Sequence, residues 1–248
     1  MSKYLDGLNE EVRAYFKILS PEFPEWLLEY IDTPEMQRLS KISINCGLDY
    51  TRVFNIRYWY SSLDHSVGVA LIIWHFTKDK KQTIAGLLHD ISTPAFKHAI
   101  DFLHGDYEQQ ESSEEHTVEM IKNSKQIRDL LKRDGIKLAE VIDYTLYPIA
   151  DNETPKLSAD RFEYSFSQGL VLERIWELGS IKECYDNVLV LKNEEGIDEL
   201  GFKDVKVCEK WVATVSNLWS AYIRNANKAG MQFLADAMMM AQRGGLLP

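Results

Sequence analysis

The stretch GLLHDISTPAFKH, residues 86–98, combines features that rarely occur together. An apolar run over residues 84–88 is typical of a buried helix, and it leads directly into His89 and Asp90. Burying either ionisable group without a partner costs free energy or forces its pKa to shift. Pro94 follows four residues later, and the residue before a proline is pushed out of the α region, so the helix should end here. The turn would let both side chains face one shared partner.

The rest of the chain predicts an all-α class with one small exception. SSLDHSVGVALIIWHF, residues 61–76, is apolar on nearly all sides in its centre and predicts a buried helix. A capping-box pattern at Ser112–Glu115 predicts the start of another helix. DNVLVLKNEEGIDELGF, residues 186–202, predicts a small β-hairpin. We expect a helical core over residues 1–185, with the hairpin and long helices of residues 186–248 packing on it.

The overall composition indicates which binding partners and which cellular compartment to expect. A formal net charge of −10 over 248 residues disfavours broad contact with nucleic acid or an anionic membrane, although it does not exclude a small anionic substrate. The apolar run at residues 67–74 is too short to span a bilayer, and the N-terminus lacks the apolar core of a signal peptide. Three cysteines without motif spacing favour a reducing compartment, so we expect a cytoplasmic protein. The stretch DAMMMAQ, residues 236–242, suits either a core or a contact between copies, which leaves homo-oligomerisation open.

Two histidines and two aspartates could together bind a metal ion. His65 lies on the predicted buried helix, His89 and Asp90 end the next apolar helix, and Asp160 begins a long helix. Two imidazoles and two carboxylates suit a single divalent ion such as Mn, Fe, Co, Ni or Zn. The spacing alone is equally compatible with an exposed Asp90 at a helix end and a hydrogen-bonded core histidine at position 89.

Several motifs in the same order resemble one known family. The order H…HD…D, with the dyad ending the helix AGLLHD, resembles the HD superfamily of metal-dependent phosphohydrolases. Further segments are similar to those of its dNTP triphosphohydrolase branch: IDTPEMQRLSKIS (31–43), LDHSVGVA (63–70), TPAFKH (93–98), EEHT (114–117) and ADRFEY (159–164). The resemblance covers roughly residues 24–170 and implies an HD-domain helical bundle.

The resemblance also implies roles for individual residues. The implied metal ligands are His65, His89, Asp90 and Asp160, with Asp90 at the reacting centre. The implied catalytic and substrate-binding residues are His116, which would assist the leaving group, Arg161 on phosphate, Tyr164 near a sugar, and His98 in the TPAFKH segment. Asp64, next to the first ligand, could orient a histidine or the attacking water.

Departures from the family pattern leave the substrate open. Ser62, Thr93 and the pair at positions 44–45 replace an Arg, a His and a Gln-Leu pair that face the substrate in the family. We therefore predict hydrolysis of a phosphoester, of a nucleotide or another small phosphorylated molecule, with weak dNTP triphosphohydrolase activity. A non-catalytic nucleotide-binding regulatory module and a full dNTP triphosphohydrolase are the alternatives. A di-iron oxygenase would need His98 and His116 as extra ligands.

Overall fold

The computed structural model describes residues 3–52, 54, 56–105, 116–172 and 175–246, so the predicted capping box at Ser112–Glu115 lies outside the described residues. The α-helices are α1 (Lys3–Gly7), α2 (Glu10–Leu19), α3 (Leu27–Ile31), α4 (Pro34–Leu39), α5 (Ser62–Thr77), α6 (Lys80–Leu88), α7 (Ala99–His104), α8 (Thr117–Asn123), α9 (Lys125–Arg133), α10 (Ala159–Val171), α11 (Leu178–Tyr185), α12 (Val205–Tyr222) and α13 (Asn225–Arg243). Strands β1 (Val188–Lys192) and β2 (Asp198–Phe202) form the antiparallel hairpin. The predicted all-α class with a small hairpin is confirmed.

Helix α5 is the central helix of the core. It starts with a capping box, in which the Ser61 hydroxyl accepts a hydrogen bond from the Asp64 backbone N–H and the Asp64 carboxylate accepts one from the Ser61 N–H. Every residue from 62 to 73 is buried, which agrees with the lack of a polar face in the sequence. Helices α2, α4, α6 and α10 pack around α5. A helix buried on all sides gives its side chains fixed positions.

The segment after α6 is held in place by an arginine from α4. The Arg38 guanidinium donates hydrogen bonds to the carbonyl oxygens of Ile91 (2.7 Å) and Thr93 (2.8 Å). Carbonyls just beyond a helix end have no partner within the helix, so an external donor stabilises the turn. The turn that the sequence predicts between Asp90 and Pro94 is therefore fixed by a long-range contact.

The C-terminal helices pack on both parts of the core. Trp211 of α12 is buried in the main core, together with residues of α2, α5 and α10. Helix α13 packs on α7 through a second core of buried residues: Leu48, Ala99, Met231, Ala235 and Met238. Within the methionine-rich stretch, Met238 is thus buried, whereas Met240 is exposed. In the part of the chain that the structure describes, no helix combines the length and apolar character needed to cross a membrane.

Candidate metal centre

Three of the four predicted ligands lie together at the meeting point of three helices. His65 projects from α5, His89 follows the end of α6, and Asp160 is the second residue of α10. Their nearest ligand atoms all lie within 4.8 Å of one another. Asp160 Oδ1 is 3.1 Å from His65 Nε2 and 3.9 Å from His89 Nε2. Atoms that share one ion at a metal–ligand distance of about 2.1 Å lie roughly 3 Å apart or slightly more, so the spacing fits one ion.

The two imidazole rings are oriented in the way that a metal ligand requires. His65 Nδ1 lies 2.5 Å from the Glu163 carboxylate, and His89 Nδ1 lies 2.7 Å from the Gly86 carbonyl oxygen. Both neighbours are acceptors, so each Nδ1 carries a hydrogen, and Nε2 is the nitrogen that either ring would offer to a metal ion. These are the two nitrogens that face Asp160. The donor set and its hydrogen bonds therefore fit a divalent cation.

Glu163 is an essential part of this arrangement that the sequence analysis missed. Its side chain is fully buried and accepts hydrogen bonds from the hydroxyls of Tyr60 (2.6 Å) and Ser167 (3.1 Å), in addition to its contact with His65. A carboxylate behind a ligating histidine fixes the ring and raises its basicity. The available signal was its spacing: Glu163 follows Asp160 by three residues, which places both on one helix face.

The charges around His65 favour a cation at this point. Burial by itself lowers the pKa of His65, but the negative charges of Glu163 and Asp160 outweigh burial and raise the pKa to about 10. Without a metal, His65 is therefore an imidazolium between two carboxylates. A metal ion bound here would replace the proton on Nε2.

Asp90 lies beside this group and is paired with a lysine. Its Oδ1 is 3.9 Å from His89 Nε2, and its Oδ2 accepts a hydrogen bond from Lys97 Nζ at 2.9 Å. Burial by itself raises the pKa of Asp90, but the positive charge of Lys97 more than offsets this and holds the pKa well below its usual range. Burial conversely lowers the pKa of Lys97, and Asp90 reverses that effect and raises it. Asp90 is thus a carboxylate with one oxygen on the side of His89, and its role as a ligand stays a prediction.

The group opens into a cavity of about 400 Å³. The cavity is lined by Ile44, Asn45, Cys46, Phe54, His65, His89, Asp90, Lys97, His98, Tyr144, Asp160, Tyr164, Gln168, Leu172, Tyr222, Asn227, Lys228 and Met231. The last four residues belong to the end of α12 and to α13. The C-terminal helices thus complete the walls of the cavity.

Two of the predicted substrate-binding residues line this cavity. His98 does so with its Nδ1 2.9 Å from the carboxylate of buried Asp101. Tyr164 also lines it, and burial raises the pKa of its hydroxyl to about 12. Both side chains therefore border the space that a substrate would occupy.

Arg161, predicted to contact phosphate, has a different role in the structure. Its guanidinium donates hydrogen bonds to Asn152 Oδ1 (2.8 Å) and Ser158 Oγ (3.0 Å) and pairs with Asp151 at 3.2 Å. It also donates to the backbone carbonyls of Asn152 and Lys156. These contacts fix the loop of residues 151–158 before α10, and Arg161 does not line the cavity. The guanidinium is thus engaged by this loop, and the phosphate contact of Arg161 stays a prediction.

Asp64 and His116, the other two predicted catalytic residues, are also placed away from the cavity. Asp64 is engaged by Ser61 in the α5 capping box and accepts a hydrogen bond from the Tyr4 hydroxyl at 2.9 Å, so its role is to start the helix. The side chain of His116 is 73% exposed, and its Nδ1 lies 3.9 Å from Glu119. Neither residue lines the cavity, and the catalytic roles expected of them stay predictions.

Comparisons with known proteins agree with the geometry. Residues 62–157 match the family described as "HD domain". The chain is 26% identical over 224 residues to "Uncharacterized protein YdhJ" of Bacillus subtilis, an alignment that covers 88% of this chain and 64% of that protein. It is 29% identical over 139 residues to "Metal-dependent phosphohydrolase cns2" of Cordyceps militaris, which covers 56% of this chain and 39% of that protein. The chain thus spans less than two thirds of either relative. The family match ends three residues before Asp160, which the structure brings to the two histidines.

Proposed function

We propose that the chain, whose residues 62–157 match the HD domain family, is a metal-dependent phosphohydrolase that removes phosphate from a nucleotide or another small phosphoester. The observation that carries the proposal is the arrangement of His65, His89 and Asp160. Two imidazole Nε2 atoms, each fixed by a hydrogen bond at Nδ1, face one carboxylate oxygen in a cavity wall. The name of the Cordyceps militaris relative, a metal-dependent phosphohydrolase, supports this assignment.

His65, His89 and Asp160 would hold a single divalent ion, with Asp90 beside them as a fourth ligand. The chemistry that such an ion supplies is activation of a water molecule and polarisation of a phosphoryl oxygen. Glu163 acts from behind the site, because its hydrogen bond keeps the His65 ring in one orientation.

The cationic side chains of the cavity suit one phosphate group better than three. Of the described residues that line it, Lys97 and Lys228 carry an ammonium group, and Lys97 is held next to Asp90. A phosphate monoester brings about two negative charges at neutral pH, whereas a triphosphate brings about four. Arg161 is engaged in its loop and is not among the residues that line the cavity. We therefore favour removal of a single phosphate over release of triphosphate.

His98 is better placed than His116 to donate a proton to the leaving oxygen. It lines the cavity, and its Nδ1 is held by Asp101. A carboxylate that accepts a hydrogen bond from one ring nitrogen holds the ring in one orientation, which a proton donor in catalysis requires. In this proposal Lys97 meets the phosphate charge, and His98 supplies the proton.

A metal-reconstitution assay tests the proposed function. The protein is stripped with a chelator and reloaded separately with Mn²⁺, Fe²⁺, Co²⁺, Ni²⁺ or Zn²⁺. Release of phosphate and of triphosphate is then measured with phenyl phosphate and with nucleoside mono-, di- and triphosphates. We expect phosphate release that depends on the added metal.

Two histidine variants on neighbouring helices provide the comparison. His89→Gln should lose both the bound metal, measured by elemental analysis, and the phosphate release. His75→Gln is the matched control, because His75 lies on α5 but faces Phe76 and Tyr185; it should keep both. Phosphate release that survives chelation, or equal metal content in both variants, would contradict the proposal. Binding of nucleotides without any turnover would favour a regulatory module, and strong triphosphate release would favour a dNTP triphosphohydrolase.

A further inference from the structure

The cavity wall carries three side-chain amides, from Asn45, Gln168 and Asn227, in addition to its charged groups. We infer that these three residues, here called the amide wall, bind the uncharged, hydrogen-bonding part of the substrate and thereby select it. All three lie outside residues 62–157, which match the HD domain family. Position 45 is one of those at which this sequence departs from the substrate-facing residues of the resembled family, so the amide there belongs to this chain and not to the family pattern. The inference rests on the proposed function only in that the same substrate would carry a phosphate to the metal centre.

Asn45 provides the strongest evidence, because its amide oxygen is buried and finds no hydrogen-bond partner in the described part of the chain. The residue is only 5% exposed. Its Nδ2 donates to Asp49 Oδ1 at 2.7 Å, and the same oxygen accepts a hydrogen bond from the Ser43 hydroxyl, also at 2.7 Å. A carboxylate oxygen only accepts here, so the orientation of the amide is fixed and Oδ1 remains an acceptor. This Oδ1 has no hydrogen-bond partner among the residues that the structure describes.

An unpaired buried oxygen needs an explanation, since it costs free energy in the folded state. Asn45 lines the cavity, so a ligand that enters the cavity is the available partner. The fold fixes this amide through Asp49 and Ser43 instead of leaving it to rotate. An oriented acceptor of this kind favours a ligand with an N–H or O–H group over one without.

The other two amides are oriented from the C-terminal helices. The Tyr222 hydroxyl donates to Gln168 Oε1 at 2.5 Å, which leaves the Gln168 Nε2 as a donor. Asn227 Nδ2 donates to the Tyr222 carbonyl oxygen at 2.8 Å, which leaves Asn227 Oδ1 as an acceptor. Asn227 is 7% exposed, so its side chain is also nearly buried. One residue of α12 thus positions two members of the amide wall.

The pattern of two acceptors and one donor describes the ligand. The three amides carry no charge, so they suit a neutral part of the ligand that offers hydroxyl or amino hydrogens. Three aromatic side chains, Phe54, Tyr144 and Tyr164, line the same cavity and can pack against a ring. A sugar and a nucleobase both provide this chemistry, and the two can be separated by experiment.

Binding of unphosphorylated compounds to the metal-free protein tests the inference. Adenosine, guanosine, cytidine, uridine and ribose are titrated by calorimetry into the wild type and into Asn45→Leu and Asn227→Leu. We expect the wild type to bind at least one nucleoside, and each variant to bind it about tenfold more weakly, as loss of one hydrogen bond predicts. Binding of ribose as well would place the sugar at the amide wall, and binding of nucleosides alone would place the base there.

Asn217→Leu is the matched control, because Asn217 lies on the exposed side of α12, where its Nδ2 donates to the Ala213 carbonyl oxygen of the same helix. It should bind as the wild type does. Circular dichroism checks that each variant folds, and either amide variant suffices if the other does not. Absence of any binding by the wild type at millimolar concentrations, or equal binding by the amide variants and the control, would overturn the inference.

The proposed function is tested separately by phosphate release from phenyl phosphate. Its phenyl group has no N–H or O–H group that could donate a hydrogen bond to the amide wall. Turnover of phenyl phosphate with nucleoside binding that the amide variants do not change would refute the amide wall alone. Nucleoside binding that the variants weaken, without turnover of any phosphoester, would refute the proposed function alone.

Discussion

Substitution of Gly68 by alanine should disturb the metal centre by displacing Glu163, whose carboxylate contacts His65. Gly68 lies on α5 one turn after His65, at the point where α10 brings Glu163 against α5. A Cβ atom at position 68 would lie 2.7 Å from both Cγ and Oε1 of Glu163, where ordinary van der Waals contact begins at 3.4 Å. Glycine leaves this space free because it has no Cβ. The Glu163 carboxylate of α10 can therefore occupy its position only because residue 68 is a glycine.

The size of the effect follows from the contacts of Glu163. Its carboxylate must move by 0.7 Å, the difference between 3.4 and 2.7 Å, while hydrogen bonds from His65, Tyr60 and Ser167 hold it in place. Weakening a buried charge-assisted hydrogen bond costs about 1.5–3 kcal/mol. The higher helix propensity of alanine returns about 1 kcal/mol. The net loss in the free energy of unfolding should therefore be about 1–3 kcal/mol, which is typical of overpacking.

Urea denaturation of the metal-free protein measures this loss without a contribution from metal binding. Gly179→Ala is the matched control, because Gly179 also lies in a helix, α11, and a Cβ there would meet no atom within 4 Å. The control should gain up to about 1 kcal/mol. A second measurement, the shift in melting temperature on addition of Mn²⁺, should be smaller for Gly68→Ala than for the wild type, since the His65 ring is no longer fixed.

Equal stability of Gly68→Ala and Gly179→Ala would contradict this expectation. That result would mean that Glu163 can move at no cost, and its hydrogen bonds to His65 and Tyr60 could not then fix the ring. A loss of stability with an unchanged response to Mn²⁺ would mean that Glu163 contributes to packing but does not support metal binding.

Two further predictions concern charged groups outside the cavity. Burial raises the pKa of Asp134, but hydrogen bonds from Arg133, Lys80 and Tyr30 lower it overall to about 2. Since the folded pKa is depressed, Asp134 stabilises the fold above its unfolded value of 3.8 and loses this effect as the pH falls towards 2. Asp134→Asn should therefore cost about 1–2 kcal/mol at neutral pH and about half as much near pH 3, as urea denaturation at both pH values would show; a gap independent of pH would contradict this. Arg161→Lys should lower the melting temperature, because lysine cannot make the forked contacts that clamp the loop of residues 151–158, while KM for a phosphoester stays unchanged. A raised KM at unchanged stability would instead restore the predicted phosphate contact.

The local features of this protein are encoded in short stretches of its sequence. The helix that ends at His89 is defined by the apolar run before it and by Pro94 after it, both within a few residues. The apolar character of residues 67–74 likewise identified α5 as a buried helix. Motif order, in turn, predicts His65, His89, Asp90 and Asp160 as ligands, and three of these four lie together in the structure. Asp64 also had a local signal, since Ser61 precedes it by three residues as in a capping box, but its position next to His65 suggested chemistry instead.

The contacts that complete the site depend on packing between distant segments. Glu163 reaches His65 because Gly68 lets α10 approach α5, and Asn227 enters the cavity because α13 packs on α7. Hydrophobic periodicity and capping act over one or two turns, so they encode helices well. They carry no information on which distant side chain fills a given space, because that depends on the shapes and distances of packed helices. The sequence therefore identifies the candidate metal ligands, whereas the packing of α10, α12 and α13 against the core determines which residues hold them in place and which enclose the cavity.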